Sequence, residues 1–106
     1  MRVRGNGGGG GVSYRSKTFG SITVTVLNDE LYIVGGTAAG TFTLNGWTTL
    51  ATVNDADFIP SGNVCGVLAD ANRVAMQALF DNTGKIKTYA TSGSVTNPYF
   101  SITGKP

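Results

Sequence analysis

The feature that most constrains the fold is a short alternation of apolar and hydroxyl side chains that recurs between turn residues. The stretch SITVTVLN shows it most clearly, because Ile22, Val24 and Val26 share one face of an extended chain while threonines occupy the other. Side chains of a β-strand point alternately to its two faces, so a period of two residues predicts a strand with one buried face.

Six further stretches carry related strand signals and lie next to Gly, Asn, Asp or Pro turn residues. They cover residues 31–36, 40–47, 63–69, 73–80, 85–90 and 98–104. Seven strands of about 5–8 residues, spaced by such turns, are typical of a β-sandwich or β-barrel. The sequence therefore predicts an all-β fold, a compact jelly-roll-like barrel or sandwich.

The stretch LADANRVAMQALF allows a second interpretation, since Ala, Leu and Met favour helices. The alternation that places Val74, Met76, Ala78 and Phe80 on one face favours a strand instead.

Length and composition predict one ordered domain with a glycine-rich leader. The chain has 106 residues, of which 41% are hydrophobic and 13% charged, a balance that argues against disorder. Residues 5–11 are six glycines and one asparagine, whose backbone entropy is too costly to order unaided. No Lys-Ser/Thr follows, so a phosphate-binding loop is excluded. We expect a flexible tail over residues 1–16 and a β-barrel domain over residues 17–106, with the compact part beginning between Val12 and Lys17.

Charge and hydropathy indicate which classes of partner to expect, and the single cysteine excludes an intrachain disulfide. The net charge of +2 is small and the basic residues are scattered, so no nucleic-acid partner is expected. No signal peptide or long apolar run is present, which predicts a soluble chain with no membrane partner. Cys65 stands alone, cannot form an intrachain disulfide, and is expected to be a small buried residue between Val64 and Gly66.

Catalysis and metal binding have little support. The chain has no histidine, which removes the commonest general base and metal ligand. Aspartate is favoured at turns because its side chain can bond the backbone two residues on. This accounts for nearly all of the six carboxylates, each of which lies beside a turn signal: Asp29, Glu30, Asp55, Asp57, Asp70 and Asp81. No catalytic residue, metal or cofactor is predicted.

The aromatic residues are better candidates for binding. The five phenylalanines lie on or beside strands and are expected in the core, whereas Trp47 directly follows an Asn-Gly turn. Exposed Trp and Tyr rings cover the C–H face of a sugar, and neighbouring amides and carboxylates take its hydroxyls. Trp47 either serves this purpose or caps one end of the barrel, and the sequence leaves both open.

Apolar residues on both faces of some strands suggest a subunit interface. Leu31 and Ile33 lie opposite Tyr32 and Val34, and Leu79 interrupts a polar outer face. Two more, Leu50 and Val53, fall outside a strict alternation. Surplus apolar surface of this kind usually becomes a contact between subunits; a sandwich with imperfect alternation is the alternative.

Four stretches together resemble the C-terminal head domain of bacteriophage receptor-binding proteins at tail tips and baseplates, particularly those of phages of lactococci and related Gram-positive bacteria. They are LYIVGG, GWTTLATVNDADFIPS, VCGVLA and ALFDNTGKIKTYA, and the likeness covers roughly residues 18 to 104. The heads of this family often carry an aromatic residue followed by an aromatic corner that ends in proline, and Trp47, Phe58 and Pro60 match that pattern. Gly84 matches the glycine of their hairpin turn.

The resemblance implies a jelly-roll barrel assembled as a homotrimer, whose threefold axis would take up the surplus apolar surface. It implies a location in the virion, contacts with other tail or baseplate proteins, and adhesion to a host cell-wall saccharide. A purely structural trimerisation or capping module is the alternative, and a small wall-degrading hydrolase is a third hypothesis.

The sequence departs from the family at the sugar-binding hairpin. Several lactococcal heads bind through His, Asp and Trp on the hairpin that corresponds to residues 74–90, where this chain has Gln77, Leu79 and Thr88. The candidate saccharide contacts are therefore residues around this hairpin, Trp47 and the following loop: Trp47, Asp55, Asp57, Gln77 and Tyr89.

Overall fold

The computed structural model of the chain describes residues 13–106, which form an all-β domain with one short 3₁₀ helix, Ala56–Phe58. The strands of this part are β1 Tyr14–Phe19, β2 Ile22–Leu27, β3 Leu31–Thr37, β4 Thr41–Thr43, β5 Gly46–Thr52, β6 Val64–Ala69, β7 Ala75–Phe80, β8 Lys85–Ala90, β9 Ser94–Thr96 and β10 Tyr99–Gly104.

Eight strands form one curled antiparallel sheet in the order β1-β2-β3-β10-β6-β7-β8-β5. The sheet curves into a half-barrel, and β4 pairs with β9 in a separate two-stranded ribbon. The predicted fold class, an all-β barrel or sandwich, is confirmed.

The predicted alternation places the core. In β2 the alternating residues Ile22, Val24 and Val26 are buried while Thr23 is exposed. The concave face of the sheet carries the same pattern in every central strand, because each inward residue pairs with an inward residue of the neighbouring strand. The core is completed by side chains from β3 to β10 and from the 3₁₀ helix, among them Val34, Leu68, Phe58, Phe80, Ile86, Phe100 and Ile102.

Six of the seven predicted strands are present as single strands, and residues 75–80 form a strand rather than a helix. Three differences concern short or polar segments. Strand β1 has one strongly apolar residue, Phe19, and β9 has three residues, so neither shows a clear period. The predicted strand over residues 40–47 is two strands, interrupted at Leu44 and Asn45.

The structure bears on the predicted domain boundary but not on the glycine stretch. Strand β1 begins at Tyr14, which lies within the window from Val12 to Lys17 but before the boundary drawn at residue 17. The glycine-rich stretch, residues 5–11, lies outside the described residues.

Three expectations about burial are wrong. Cys65 is exposed, because Val64 and Leu68 take the inward positions of β6 and leave residue 65 on the convex face. Leu50 and Val53 are buried and add nothing to the surface. The cause is a register shift in β5 between Thr49 and Ala51, a β-bulge after which the alternation restarts. Leu50 faces inward in phase with Thr48, and the bulge lets Ala51 and Val53 face inward as well.

Tyr32 differs from Tyr89 and Tyr99, which are more than half exposed. It is buried, with its ring edge-on to Phe80 at 6.3 Å between centroids. Of the phenylalanines expected in the core, Phe58, Phe80 and Phe100 are buried, while Phe19 and Phe42 are partly buried against it.

Candidate functional site

Three of the five predicted contact residues meet on the convex face of the sheet. Trp47 of β5 pairs directly with Tyr89 of β8. Gln77 lies on the same face of the adjacent strand β7, two positions before Leu79, which pairs with Lys87. Outward side chains of neighbouring strands form rows across a sheet, so β5, β8 and β7 present an indole, a phenol and a carboxamide side by side.

Trp47 and Tyr89 form an exposed aromatic pair. Their ring centroids are 5.4 Å apart and their planes are inclined at 61°, an edge-to-face arrangement. Trp47 is 53% exposed and Tyr89 is 51% exposed. Two large rings that contact each other and remain half in water hold an apolar surface open to solvent. Trp47 is therefore not a buried cap of the barrel.

Lys87 lies against the indole. Its Nζ is 5.5 Å from the centroid of the Trp47 ring, within cation–π range, and 2.8 Å from Oδ2 of Asp81. The ammonium is thus held between a carboxylate and an aromatic ring, and its position is fixed from both sides. This contact orients Trp47 and occupies one side of its ring.

Asp81 is the buried anchor of this arrangement. Its Oδ1 accepts hydrogen bonds from the amide of Thr83 at 2.9 Å, the hydroxyl of Thr83 at 2.6 Å and the amide of Lys85 at 3.0 Å. Burial raises the pKa of the carboxyl, but the bonds from Lys87 and the β7–β8 turn outweigh it and hold the pKa of Asp81 well below its usual range. The group is therefore a carboxylate at neutral pH.

Thr88 connects Gln77 to the aromatic strand. Strand β7 pairs with β8 at Leu79 and Phe80. The buried Thr88 hydroxyl then donates to the carbonyl of Gln77 at 2.7 Å. This bond fixes Gln77 beside β8 and so keeps its exposed amide near Tyr89.

The other two predicted contacts lie elsewhere. Asp55 and Asp57 follow the far end of β5, and a strand of this length puts them roughly 20 Å from Trp47. Asp55 caps the 3₁₀ helix by accepting from the amide of Asp57 at 3.0 Å. The Lys17 ammonium, 2.7 Å away, and that amide hold the pKa of Asp55 below its ordinary value.

Asp57 also links the 3₁₀ helix to strand β1, through its backbone carbonyl. Its carbonyl accepts from Nε of Arg15 at 2.8 Å, and the Arg15 guanidinium lies over the Phe58 ring. Asp55 and Asp57 therefore tie the 3₁₀ helix to strand β1. Their placement supports the turn interpretation and puts them apart from the three candidates that cluster at Trp47.

Sequence reasoning missed Lys87 and Asp81 as parts of the site. A signal was present, since DNTGK places a carboxylate two and four residues before the amides of Thr83 and Lys85. What the sequence lacks is the sheet pairing that brings Lys87 beside the indole of a strand forty residues away.

Metal-site and membrane searches are negative for the described part of the chain. Residues 13–106 contain no group of three His, Cys, Asp or Glu side chains that could hold a metal ion. No helix in this range is long and apolar enough to cross a membrane. The sequence matches no protein-family model, and a search of curated proteins returns no significant relative.

Proposed function

We propose that this domain binds a saccharide at the Trp47–Tyr89 pair. The observation that carries the proposal is the exposure of two contacting aromatic rings on one face of a rigid sheet. Large aromatic rings are usually buried in a protein, so a contacting pair that stays exposed is typical of a binding surface. No catalytic step is part of the proposal.

The neighbouring polar groups support a sugar as the ligand. Lys87 occupies one side of the indole, so a pyranose ring would stack on the opposite side with its C–H groups against the ring. The Gln77 amide can donate to one hydroxyl and accept from another, and the Tyr89 hydroxyl can do either. The site is open and shallow, which suits a terminal or internal sugar of a long polymer.

The biological role we propose is host adhesion, in a head domain of a phage tail tip or baseplate that recognises a cell-wall saccharide of a Gram-positive bacterium as a homotrimer. A shallow site binds weakly alone. Several copies on one particle raise the effective affinity by orders of magnitude without any new contact.

The test is binding to purified cell-wall polysaccharide from lactococci, measured by surface plasmon resonance with intact chain and with Trp47→Ala. A central aromatic contact is worth about 2 kcal/mol, so Trp47→Ala should weaken binding about thirtyfold. Tyr99→Ala is the matched control, because Tyr99 is 57% exposed on the same convex face and forms no ring pair. Equal loss in both variants, or binding by neither intact chain nor control, would contradict the proposal.

A structural module is the second candidate. Val67 and Tyr99 are more than half exposed on the convex face, and Leu79 lies partly buried beside them. Such surface would be covered in a trimeric fibre or baseplate cap that has no ligand of its own. Trimer formation together with no polysaccharide binding by the intact chain would favour this candidate over saccharide binding.

A further inference from the structure

An open groove of about 690 Å³ lies between the β1–β2 hairpin and strand β5, the two ends of the curled sheet. One wall is formed by residues 17–22 of β1, its turn and the start of β2, and the other by residues 50–52 of β5. Its floor is apolar, made by Phe19, Ile22, Phe42 and Leu50. The groove therefore separates the two end strands of the curled sheet.

Both end strands have an unpaired backbone side. Strand β1 pairs with β2 alone and β5 pairs with β8 alone within the eight-stranded sheet. Among residues 13–106, the backbone groups of residues 15–19 and 47–52 make no backbone hydrogen bond outside their own ladders. Edge N–H and C=O groups of this kind are a template for one more strand.

The β1–β2 turn determines which way the backbone N–H and C=O groups of Thr18 point. Gly20, with φ of +65°, and Ser21 form a two-residue hairpin loop, so the pair Phe19 and Ile22 that closes it is hydrogen-bonded. Pairs alternate along an antiparallel ladder, so Thr18, opposite Thr23, points its N–H and C=O away from β2. The 3.2 Å contact between the hydroxyls of Thr18 and Thr23 is that of a close, non-hydrogen-bonded pair.

We infer that the groove is a docking site for an extended peptide segment of another protein, which adds a strand between β1 and β5. Strand addition to a sheet edge supplies main-chain hydrogen bonds, and alternate side chains enter the apolar floor. The occupant is a free strand and not the edge of a second folded copy. A strand that pairs on both sides has no side left to belong to a sheet of its own.

The walls define the chemistry of the segment. Lys17 is the one charged residue that lines the groove, and it is already paired with Asp55. The remaining rim side chains are hydroxyls and an amide: Thr18, Ser21, Thr37, Thr52 and Asn54. An uncharged segment with apolar residues at every second position fits this lining, and a charged one would lose solvation without gaining a partner.

The experiment is a titration of the isotope-labelled full chain with the peptide acetyl-Val-Thr-Val-Thr-Val-Thr-amide, followed by NMR. The expected result is saturable binding with a downfield shift of the Thr18 amide proton, which gains a hydrogen bond. A peptide with proline in place of each threonine keeps the apolar side chains but lacks those donors. It should bind about tenfold more weakly, as loss of one or two hydrogen bonds implies.

Two matched variants test the backbone contact. Thr18→Pro removes an outward N–H inside the groove without removing a β1–β2 ladder bond, and should weaken binding about tenfold. Ser16→Pro removes the corresponding N–H on the same edge outside the groove, since Ser16 and Thr25 form the same kind of pair with hydroxyls 3.0 Å apart. It should leave binding unchanged.

Three outcomes would overturn the inference: no saturable binding of the threonine peptide, equal affinity for the proline peptide, or equal loss in both proline variants of the chain. Polysaccharide binding at Trp47 lies on the convex face and is measured independently of this titration, so failure of one proposal leaves the other standing.

Discussion

Asp70 and Asp81 build two turns by the same arrangement of hydrogen bonds. Oδ1 of Asp70 accepts from the amides of Asn72 and Val74 at 2.9 and 3.0 Å, and Oδ1 of Asp81 accepts from the amides two and four residues on. The two differ in their surroundings, because Asp81 is buried and also holds Lys87. At the scale of single residues, one aspartate shapes a loop and the other also connects that loop to the candidate site.

The first prediction concerns this difference. Asp81→Asn keeps an oxygen acceptor for the turn amides but leaves Lys87 without its carboxylate, so the free energy of unfolding should fall by about 1–3 kcal/mol. Asp70→Asn is the matched control and should lower it by less than about 1 kcal/mol. Urea denaturation monitored by tryptophan fluorescence measures both. Equal effects would show that the Lys87 contact adds no stability.

The pH dependence of this stabilisation has a defined sign. Folding lowers the pKa of Asp81, so its contribution is fully present above the unfolded value of about 3.9 and is lost as the pH falls from there toward the folded value. The difference in unfolding free energy between intact chain and Asp81→Asn should therefore be constant from pH 7 to about 5 and shrink below about pH 4. A difference that grows on acidification would contradict the assignment.

Sequence reasoning predicted the turn role of the aspartates but not the exposure of Cys65. The turn role of the aspartates is local chemistry, and the bond to the amide two residues on is confirmed for Asp55, Asp70 and Asp81. The position of Cys65 depends on which face of an apolar strand turns inward. In VCGVL both faces carry apolar residues, so alternation could not decide it.

At the scale of elements, strand pairing depends on close approach as much as on alternation. Gly66 of β6 pairs with Ile102 of β10, and a Cβ at residue 66 would lie 2.5 Å from the Ile102 Cα. The two central strands thus meet at a point where a side chain cannot fit. The sequence marks Gly66 as a glycine within a strand but does not name its neighbour.

The second prediction follows from that contact. Gly66→Ala should force β6 and β10 apart and lower the free energy of unfolding by about 1–3 kcal/mol, the range for overpacked sites. Gly35→Ala in β3 is the control, because a Cβ there meets nothing within 4 Å, and it should be neutral or slightly stabilising. Thermal unfolding by circular dichroism compares the two. A stable Gly66→Ala chain would mean that the strands separate without cost.

Strand β1 was missed by sequence reasoning for a physical reason. Strand β1 places Arg15 and Lys17 on its concave side, opposite Val26 and Val24. The two cations reach the loop that follows β5 instead of filling the core. Periodicity reports burial, so a strand held by ion pairs and backbone bonds gives no apolar period to detect.

At the scale of the whole molecule, the convex face carries both the aromatic pair and the remaining exposed apolar residues. Val67 lies between Gln77 of β7 and Ser101 of β10, in line with Trp47 and Tyr89. The domain would leave this surface in water as a single chain. In the proposed homotrimer, the part of this surface around Val67 packs against another subunit, while Trp47 and Tyr89 stay open to the saccharide.

The third prediction is a native mass of three times the 10.9 kDa chain mass in light scattering after size exclusion. Val67→Lys should reduce the mass to that of one chain, because a buried unpaired ammonium opposes association. Thr23→Lys, on the convex side of β2 among hydroxyl residues, is the control and should stay trimeric. A single-chain mass for the unaltered protein would overturn the homotrimer.

The position of β10 in the sheet has a consequence for biosynthesis. Strands β1 to β3 follow one another as neighbours, and so do β6 to β8, but β3 and β6 are joined only through β10, which comes last of the ten along the chain. Each half can pair within itself while the chain is still being made. The sheet becomes continuous, and the shared core closes, only after residue 104 has left the ribosome.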